Sequence, residues 1–361
     1  MIRNLLRKRP YRARSSEEGF ILVTILIVIA LLFPLVLAFN SRVQLNLTQA
    51  ENYRNSVQAL RMARSGVQGA VAILKASDPT YDSPKSTWAM GIPSLALAQG
   101  ILTVNIVDED CRMPVNNLVW SPTQAAAATS TTSSSASSTP ATGQTQATTA
   151  TTATAATTAT ETVNKDLNTQ LRTLVTSLGG NQEIIDSLTY WLDTDIVTGV
   201  AGADASYYSA QGYQAKNGPL DSLDELLLVR GFDNELVDDR GLRTYLTVAP
   251  TDGKLNINTA PLAVLQIVLG TQTGTLAQPL AQADIADLVQ YRNQHEIKSL
   301  SDIMAVKISQ GDLSKISPLI KVNSSYFTVT SKYTIGKVVR NVEAMLKRSG
   351  STVSIVSWRE S

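Results

Sequence analysis

The sequence is poor in the side chains that carry most enzyme and metal chemistry. Its 361 residues include one cysteine, Cys111, and one histidine, His295. A single thiol excludes an intrachain disulfide and any multi-thiolate zinc or iron–sulfur site within the chain. A single imidazole excludes His-rich metal chemistry. No nucleophile–base pattern accompanies His295, so it reads as a surface residue and the chain as no enzyme. Cys111 falls in a turn, where it is a free thiol or a small buried residue. Charge of either sign is in short supply too. With 31 basic and 30 acidic residues the net charge is +1, which argues against a globally basic nucleic-acid binder.

What is present is unevenly distributed. The first 19 residues carry Arg3, Arg7, Lys8, Arg9, Arg12 and Arg14 against Glu17 and Glu18, so the remainder of the chain is mildly acidic. Phe20 to Phe39, FILVTILIVIALLFPLVLAF, is a run of 20 residues without a charge, with Thr24 as its one polar side chain. As a helix it spans roughly 30 Å, the thickness of a bilayer core. The basic flank predicts a cytoplasmic N-terminus and an exported remainder. The run is longer than the apolar region of a cleaved secretory signal, which makes it a retained anchor. Val43, Leu47, Ala50, Val57, Leu60, Ala63, Val67, Val71 and Leu74 prolong a helical stripe until Pro79 and Pro84 close it. Pro34 predicts a kink in the apolar half. A plain single-pass anchor with a stalk fits the same pattern.

Ile101–Val107 alternates like a strand, and Asp108-Glu109-Asp110 turns it, with Met113–Leu118 following. The acidic triplet reads as a solvated turn, with cation contact as the alternative. Residues 121–160 differ in kind: 34 of the 40 are Ala, Thr or Ser and none is charged. Such a stretch buries too little area to offset its ordering entropy and reads as a flexible insertion.

Helical patterning resumes at Leu167 and breaks at Gly179-Gly180 before Ile184–Leu192. Asp193, Asp195 and, across a loop, Asp204 supply the oxygen donors a hard cation such as calcium requires. An acidic helix end followed by a loop is the other reading. Ser222 is placed to cap a helix with Glu225 as its capping-box partner, and Ser299–Val306 repeats the phrase Ser222–Val229. Each copy precedes a strand-like run, Tyr245–Val248 and Tyr326–Val329. Between them Leu255–Pro261 opens a further helix, capped by Asn258 or Thr259, with an apolar face of Leu262, Leu265, Ile267, Val268 and Leu269. This region is similar to helix-hairpin-helix DNA-binding modules. However, Lys254, Arg292, Lys298, Lys307 and Lys315 are balanced by Asp284, Asp287, Glu296, Asp302 and Asp312, leaving no basic field to neutralise phosphates. Thr352–Val356 reads as a closing strand, and Val338–Leu346 is ambiguous, its alternation favouring a strand that closes a sheet against the long helix.

Gly19-Phe20 ahead of an apolar helix and behind a basic leader resembles the class III signal of type IV pilins and pseudopilins. That resemblance implies cleavage between Gly19 and Phe20 by a prepilin peptidase, with methylation of Phe20. It departs from the family at the fifth mature position, where Thr24 replaces the usual Glu. That Glu is thought to neutralise the amine of a neighbouring subunit, so its loss suits a tip position. With Trp191–Asp195, Tyr207-Tyr208, Pro219–Leu226 and Leu255–Pro261, the order of features is similar to the minor pseudopilin K family of type II secretion systems.

The resemblance implies an α+β fold. A pilin-like long helix packs on a small antiparallel sheet that carries a large inserted all-helical domain of duplicated, SAM-like helical hairpins. The expected division is a leader at 1–19, the membrane half-helix at 20–39 and pilin-like helix and strands at 40–120. The low-complexity insertion at 121–162, the helical domain at 163–320 and the sheet-completing strands at 321–361 follow. The implied role is the tip of the pseudopilus, initiating assembly and supporting export of folded proteins across the outer membrane. Implied partners are minor pseudopilins I and J, other pseudopilins, the prepilin peptidase, and an outer-membrane secretin or exoprotein, with no nucleic acid. The implied location is the inner membrane, single-pass, with the bulk periplasmic. Calcium is the one implied cofactor, with Asp193, Asp195 and Asp204 as ligands. The alternative is a membrane-anchored, competence-type DNA-binding protein.

Overall fold

Helix α1 runs unbroken from Glu17 to Ala76, through Pro34. The computed structural model describes residues 17–120, 162–194, 205–306 and 308–361, with backbone alone at 17–19 and at Trp120. The second half of α1 lies on a sheet. Ala59, Ala63, Val67, Ala70 and Leu74 are fully buried there, at the three- and four-residue spacing of one helical face. Three of the five are alanines, which lets the helix axis approach the sheet closely. The predicted stripe is correct in this half; Val43 and Leu47, further up, are exposed.

Five antiparallel strands form that sheet in the order β1-β2-β9-β10-β11. Strand β1 is Ile92–Leu97 and β2 is Gly100–Asp108. After a long excursion come β9 (Tyr326–Ile335), β10 (Val338–Ser349) and β11 (Thr352–Glu360). Alternation sets the register: Phe327, Val329, Val342, Ala344 and Leu346 face α1 with Leu102, Val104 and Ile106. The ambiguous Val338–Leu346 segment is therefore a strand against the long helix, as its alternation predicts.

The excursion begins where β2 ends and returns at β9, its immediate neighbour in the sheet. It builds a second core. Its helices include α2 (Lys165–Ser177), α3 (Ile184–Leu192), a short α4 (Ala205–Ala210), α5 (Leu242–Tyr245), α6 (Leu262–Gly270), α7 (Gln282–Gln294) and α8 (Gln310–Ile316). Two-residue strands stitch them: β3 (Met113–Pro114) pairs with β6 (Leu246–Thr247), β4 (Val119–Trp120) with β5 (Thr162–Val163), and β7 (Leu255–Asn256) with β8 (Ile320–Lys321). Residues 111–119, grouped by the strand reading with the pilin-like portion, pack in this second core through Cys111, Met113, Val115, Leu118 and Val119. Buried Asn116 braces it, donating to the carbonyls of Leu220 and Val248 at 3.0 Å each.

The repeated serine phrases fold alike, as 3-10 helices at Leu223–Leu228 and Leu300–Ala305. Ser299 and Asp302 form the full capping box. At the first copy Ser222 caps through the Asp224 amide (3.2 Å), but Glu225 accepts from the Asp221 amide (2.9 Å) instead of from Ser222. The cap of α6 is also corrected: Pro261 occupies it, and Asn258 and Thr259 bond elsewhere. On α6 the buried face includes Val264, whereas Leu262 is exposed.

Candidate assembly surface and domain junction

The surface most unlike that of a water-soluble protein is the first half of α1. From Phe20 to Phe39 every side chain is exposed, Phe20 at 74% and Phe39 at 69%. The helix is long and apolar enough to cross a membrane. Thr24 fits this setting because its hydroxyl donates to the Phe20 carbonyl at 2.9 Å. A polar side chain whose proton is held by its own helix costs little in an apolar medium, unlike a lone carboxylate. The Gly19–Phe20 peptide lies in the first helical turn of α1.

The other concentrated chemistry is a buried polar junction at the neck of the excursion. Asp108, Glu109 and Asp110, read from the sequence as a solvated turn, are all buried. The correction has a topological cause: the turn is where β2 hands the chain to the second domain, so it is covered from both sides. The cations that the triplet meets are side chains. Lys321 Nζ lies 3.2 Å from Asp110, and Arg112 Nη1 lies 3.3 Å from Glu109. Asp82, from the loop after α1, pairs with Arg348 of β10, accepts from Trp88 Nε1 (2.7 Å) and accepts from the Ser324 amide (2.7 Å). The Arg348 guanidinium also lies over the Phe327 ring, 4.9 Å from its centroid.

Asp108 is the centre. Its Oδ2 accepts from Thr259 Oγ1 (2.5 Å), Ser324 Oγ (2.6 Å) and Asn256 Nδ2 (3.1 Å), and its Oδ1 accepts from the Asp110 amide (2.9 Å). Burial, and then repulsion from Asp110, push its carboxyl up to about 7. Cys111 adds its thiol to the Asp108 carbonyl at 3.0 Å, and burial pushes that thiol well above its usual range. It is thus the small buried residue of the two alternatives. A second tie lies at the sheet's outer edge, where Arg359 of β11 pairs with Glu343 (2.6 Å) and reaches Asp224 of the excursion (3.8 Å).

Of the expected calcium ligands, Asp193 ends α3 as a buried C-cap, its amide bonded to the Thr189 carbonyl at 3.0 Å. Asp195 and Asp204 lie outside the described residues, as do most of the leader and the 121–160 stretch. Among the described residues no group of three His, Cys, Asp or Glu side chains is disposed to hold a metal. His295 is exposed at the end of α7 and stacks on Tyr291, 4.7 Å between centroids, as a surface residue.

Comparison with known proteins addresses the same regions. A family model described as "Type II secretion system (T2SS), protein K" matches residues 112–251, which begin just past the neck. The type II secretion system protein K of Pseudomonas aeruginosa is 25% identical over 340 residues, covering 90% of this chain and 86% of that protein. In sequence the chain is thus similar to protein K, a minor pseudopilin of type II secretion. A solved structure shares the fold: a chain in the GspK-GspI-GspJ complex from the enterotoxigenic Escherichia coli type 2 secretion system superimposes with a TM-score of 0.62. Its identity is 19%, and the match covers 87% of this chain and 99% of that one. The minor pseudopilin K family is a structural component of secretion, and the competence-type DNA-binding alternative is not favoured.

Proposed function

We propose that the chain is a tip subunit of the type II secretion pseudopilus, which starts assembly and supports export of folded proteins across the outer membrane. The observation that carries this reading is the join between two unlike parts. An apolar helix exposed from Phe20 to Phe39 is continuous with a helix packed on a small sheet, and a second domain emerges from the middle of that sheet. The apolar half serves first as an inner-membrane anchor and then as one strand of a helical bundle with other pseudopilins. A domain that projects from the sheet between β2 and β9 obstructs a subunit stacked above it, so an open end is the place it fits.

The rest of the reading follows from the pseudopilin signal. Prepilin peptidase cuts between Gly19 and Phe20 and methylates Phe20, and the folded domains lie in the periplasm. Minor pseudopilins I and J are the partners, in line with the complex to which the fold is similar. Thr24, bonded to its own helix, brings no carboxylate for a neighbour's amine, which supports a position with no subunit above. Calcium would be held by Asp193, Asp195 and Asp204, joining the loop after α3 to the start of α4.

Intact-mass and N-terminal peptide analysis of the chain from a producing cell tests processing. The expected mature N-terminus is N-methyl-Phe20; any other mature start removes the pseudopilin reading. Cysteine cross-links from the excursion to shaft subunits would remove the tip position.

A further inference from the structure

The neck of the excursion holds four buried carboxylates, Asp82, Asp108, Glu109 and Asp110, with buried Arg348 and half-buried Lys321 among the cations that meet them. Asp82 takes Arg348 and Asp110 takes Lys321. Asp108 lies among them with hydrogen bonds but, among the described residues, no cation paired with it. Glu109, next to it, is occupied with Arg112. Arg292, from α7, turns its guanidinium to the Ile257 carbonyl. Glu296, just past α7, accepts from Ser83 Oγ at 2.6 Å. Asp108 thus has no direct ion-pair partner among the described residues, and the partly buried charge of Arg292 is turned to a backbone carbonyl instead of to it.

The uncharged partners suit a protonated Asp108 as well. Thr259 and Ser324 contact it through hydroxyls, which can reverse from donor to acceptor. Ser324 Oγ also receives Asn256 Nδ2 at 2.7 Å. That amide has two hydrogens for three acceptors in reach: Asp108, Ser324 and the Asp82 carbonyl at 3.2 Å. A proton on Asp108 is accepted by one of the two hydroxyls, which then turns its own hydrogen away from the carboxylate. Loss of the proton instead leaves a buried charge held by hydrogen bonds alone, which burial disfavours.

The placement gives this chemistry a mechanical meaning. Asp108 is the last residue of β2, Thr259 and Asn256 belong to the excursion, Ser324 lies in its return segment, and Asp82 follows α1. The node joins every strand of chain that crosses between sheet and excursion. We propose that it is a proton-dependent lock, closed around a protonated Asp108 and loosened when that proton is lost, which frees the excursion to move against the sheet. The raised carboxyl of Asp108, about 7, puts the loosening on the acidic side of neutrality, complete by about pH 7. The sign is that of an acid with a higher affinity for protons when folded. The contribution to stability is complete below the unfolded value near 3.8 and is lost as pH rises to about 7.

Hydrogen exchange of the full chain in detergent micelles, from pH 5 to pH 8.5, tests the lock. After correction for the base-catalysed intrinsic rate, amides at 108–110 and 322–326 should open more readily as pH rises, by up to about tenfold per pH unit per proton released. The rise should level off above pH 7, while amides inside α6 change less. Asp108→Asn, neutral at every pH, should hold those amides closed across the range and flatten the slope by one proton. Neck protection that does not change with pH in the unsubstituted chain overturns the proposal. So does a slope that Asp108→Asn leaves intact. If that variant does not accumulate, the titration of the unsubstituted chain decides alone.

Discussion

Gly66 of α1 lies directly against Ser331 of β9: a Cβ built on Gly66 would be 2.1 Å from Ser331 Oγ and 3.0 Å from both Leu102 Cδ1 and Val104 Cγ2. The same hydroxyl is buried and has no hydrogen-bond partner among the described residues. Helix and sheet therefore touch at a point where neither can give ground without moving core side chains.

Gly66→Ala should thus destabilise the pilin-like portion even though alanine is the better helix former. A gain of about 1 kcal/mol in propensity is outweighed by overpacking of about 1–3 kcal/mol. Ser331→Ala alone should be neutral or stabilising, since it removes an unmet buried hydroxyl. Combined with Gly66→Ala, it should restore part of the loss, a coupling that a double-mutant cycle in chemical denaturation would read. Strict additivity of the two would show that the helix shifts bodily instead.

Arg348 neutralises Asp82 at the neck, with both side chains almost fully buried. Arg348→Met keeps the length and the packing on Phe327 but strands the carboxylate. The expected loss is about 3–5 kcal/mol at neutral pH. It should shrink as pH falls, because burial already lifts Asp82 against the pull of Arg348 and a protonated Asp82 needs no partner. Thermal melts at pH 5 and pH 7.5 would separate this from simple loss of packing, which does not depend on pH.

Helix α1 was legible because its signal is local: apolar residues at helical spacing, bounded by Pro79 and Pro84. Strands β9, β10 and β11 were legible through alternation. Strand β1 was not, since Ile92–Leu97 contains Pro93 and lacks alternation, and it is held by pairing with β2 at the sheet edge. The neck escaped for another reason. Asp82, Asp108, Asn256, Ser324 and Arg348 come from five separate segments, and no spacing in the sequence joins them. The one available hint was the phrase Asn256-Ile257-Asn258-Thr259, whose polar residues exceed what a helix cap requires. Asn256 and Thr259 serve Asp108, and Asn258 holds the Ile297 carbonyl and amide (2.8 and 3.1 Å).

Calcium, if it binds as proposed, should act at the end of α3. Asp193 is buried and ends a helix whose inner face carries Trp191, and Trp191 packs edge-on against Tyr208 of α4, 5.3 Å between centroids. A cation shared by Asp193, Asp195 and Asp204 would close the loop that connects these two aromatic residues, so its loss should be felt as loosening of that contact. Ligand that binds only the folded state stabilises by about 2.7 kcal/mol at a hundredfold excess over its dissociation constant. A chelator should therefore lower the melting temperature and alter tryptophan emission, and added calcium, not magnesium, should restore both. Asp193→Asn should melt like the chelated chain and respond to neither. A melting temperature that is the same with and without chelator would remove calcium from the account, leaving the excursion held by its apolar core and the neck.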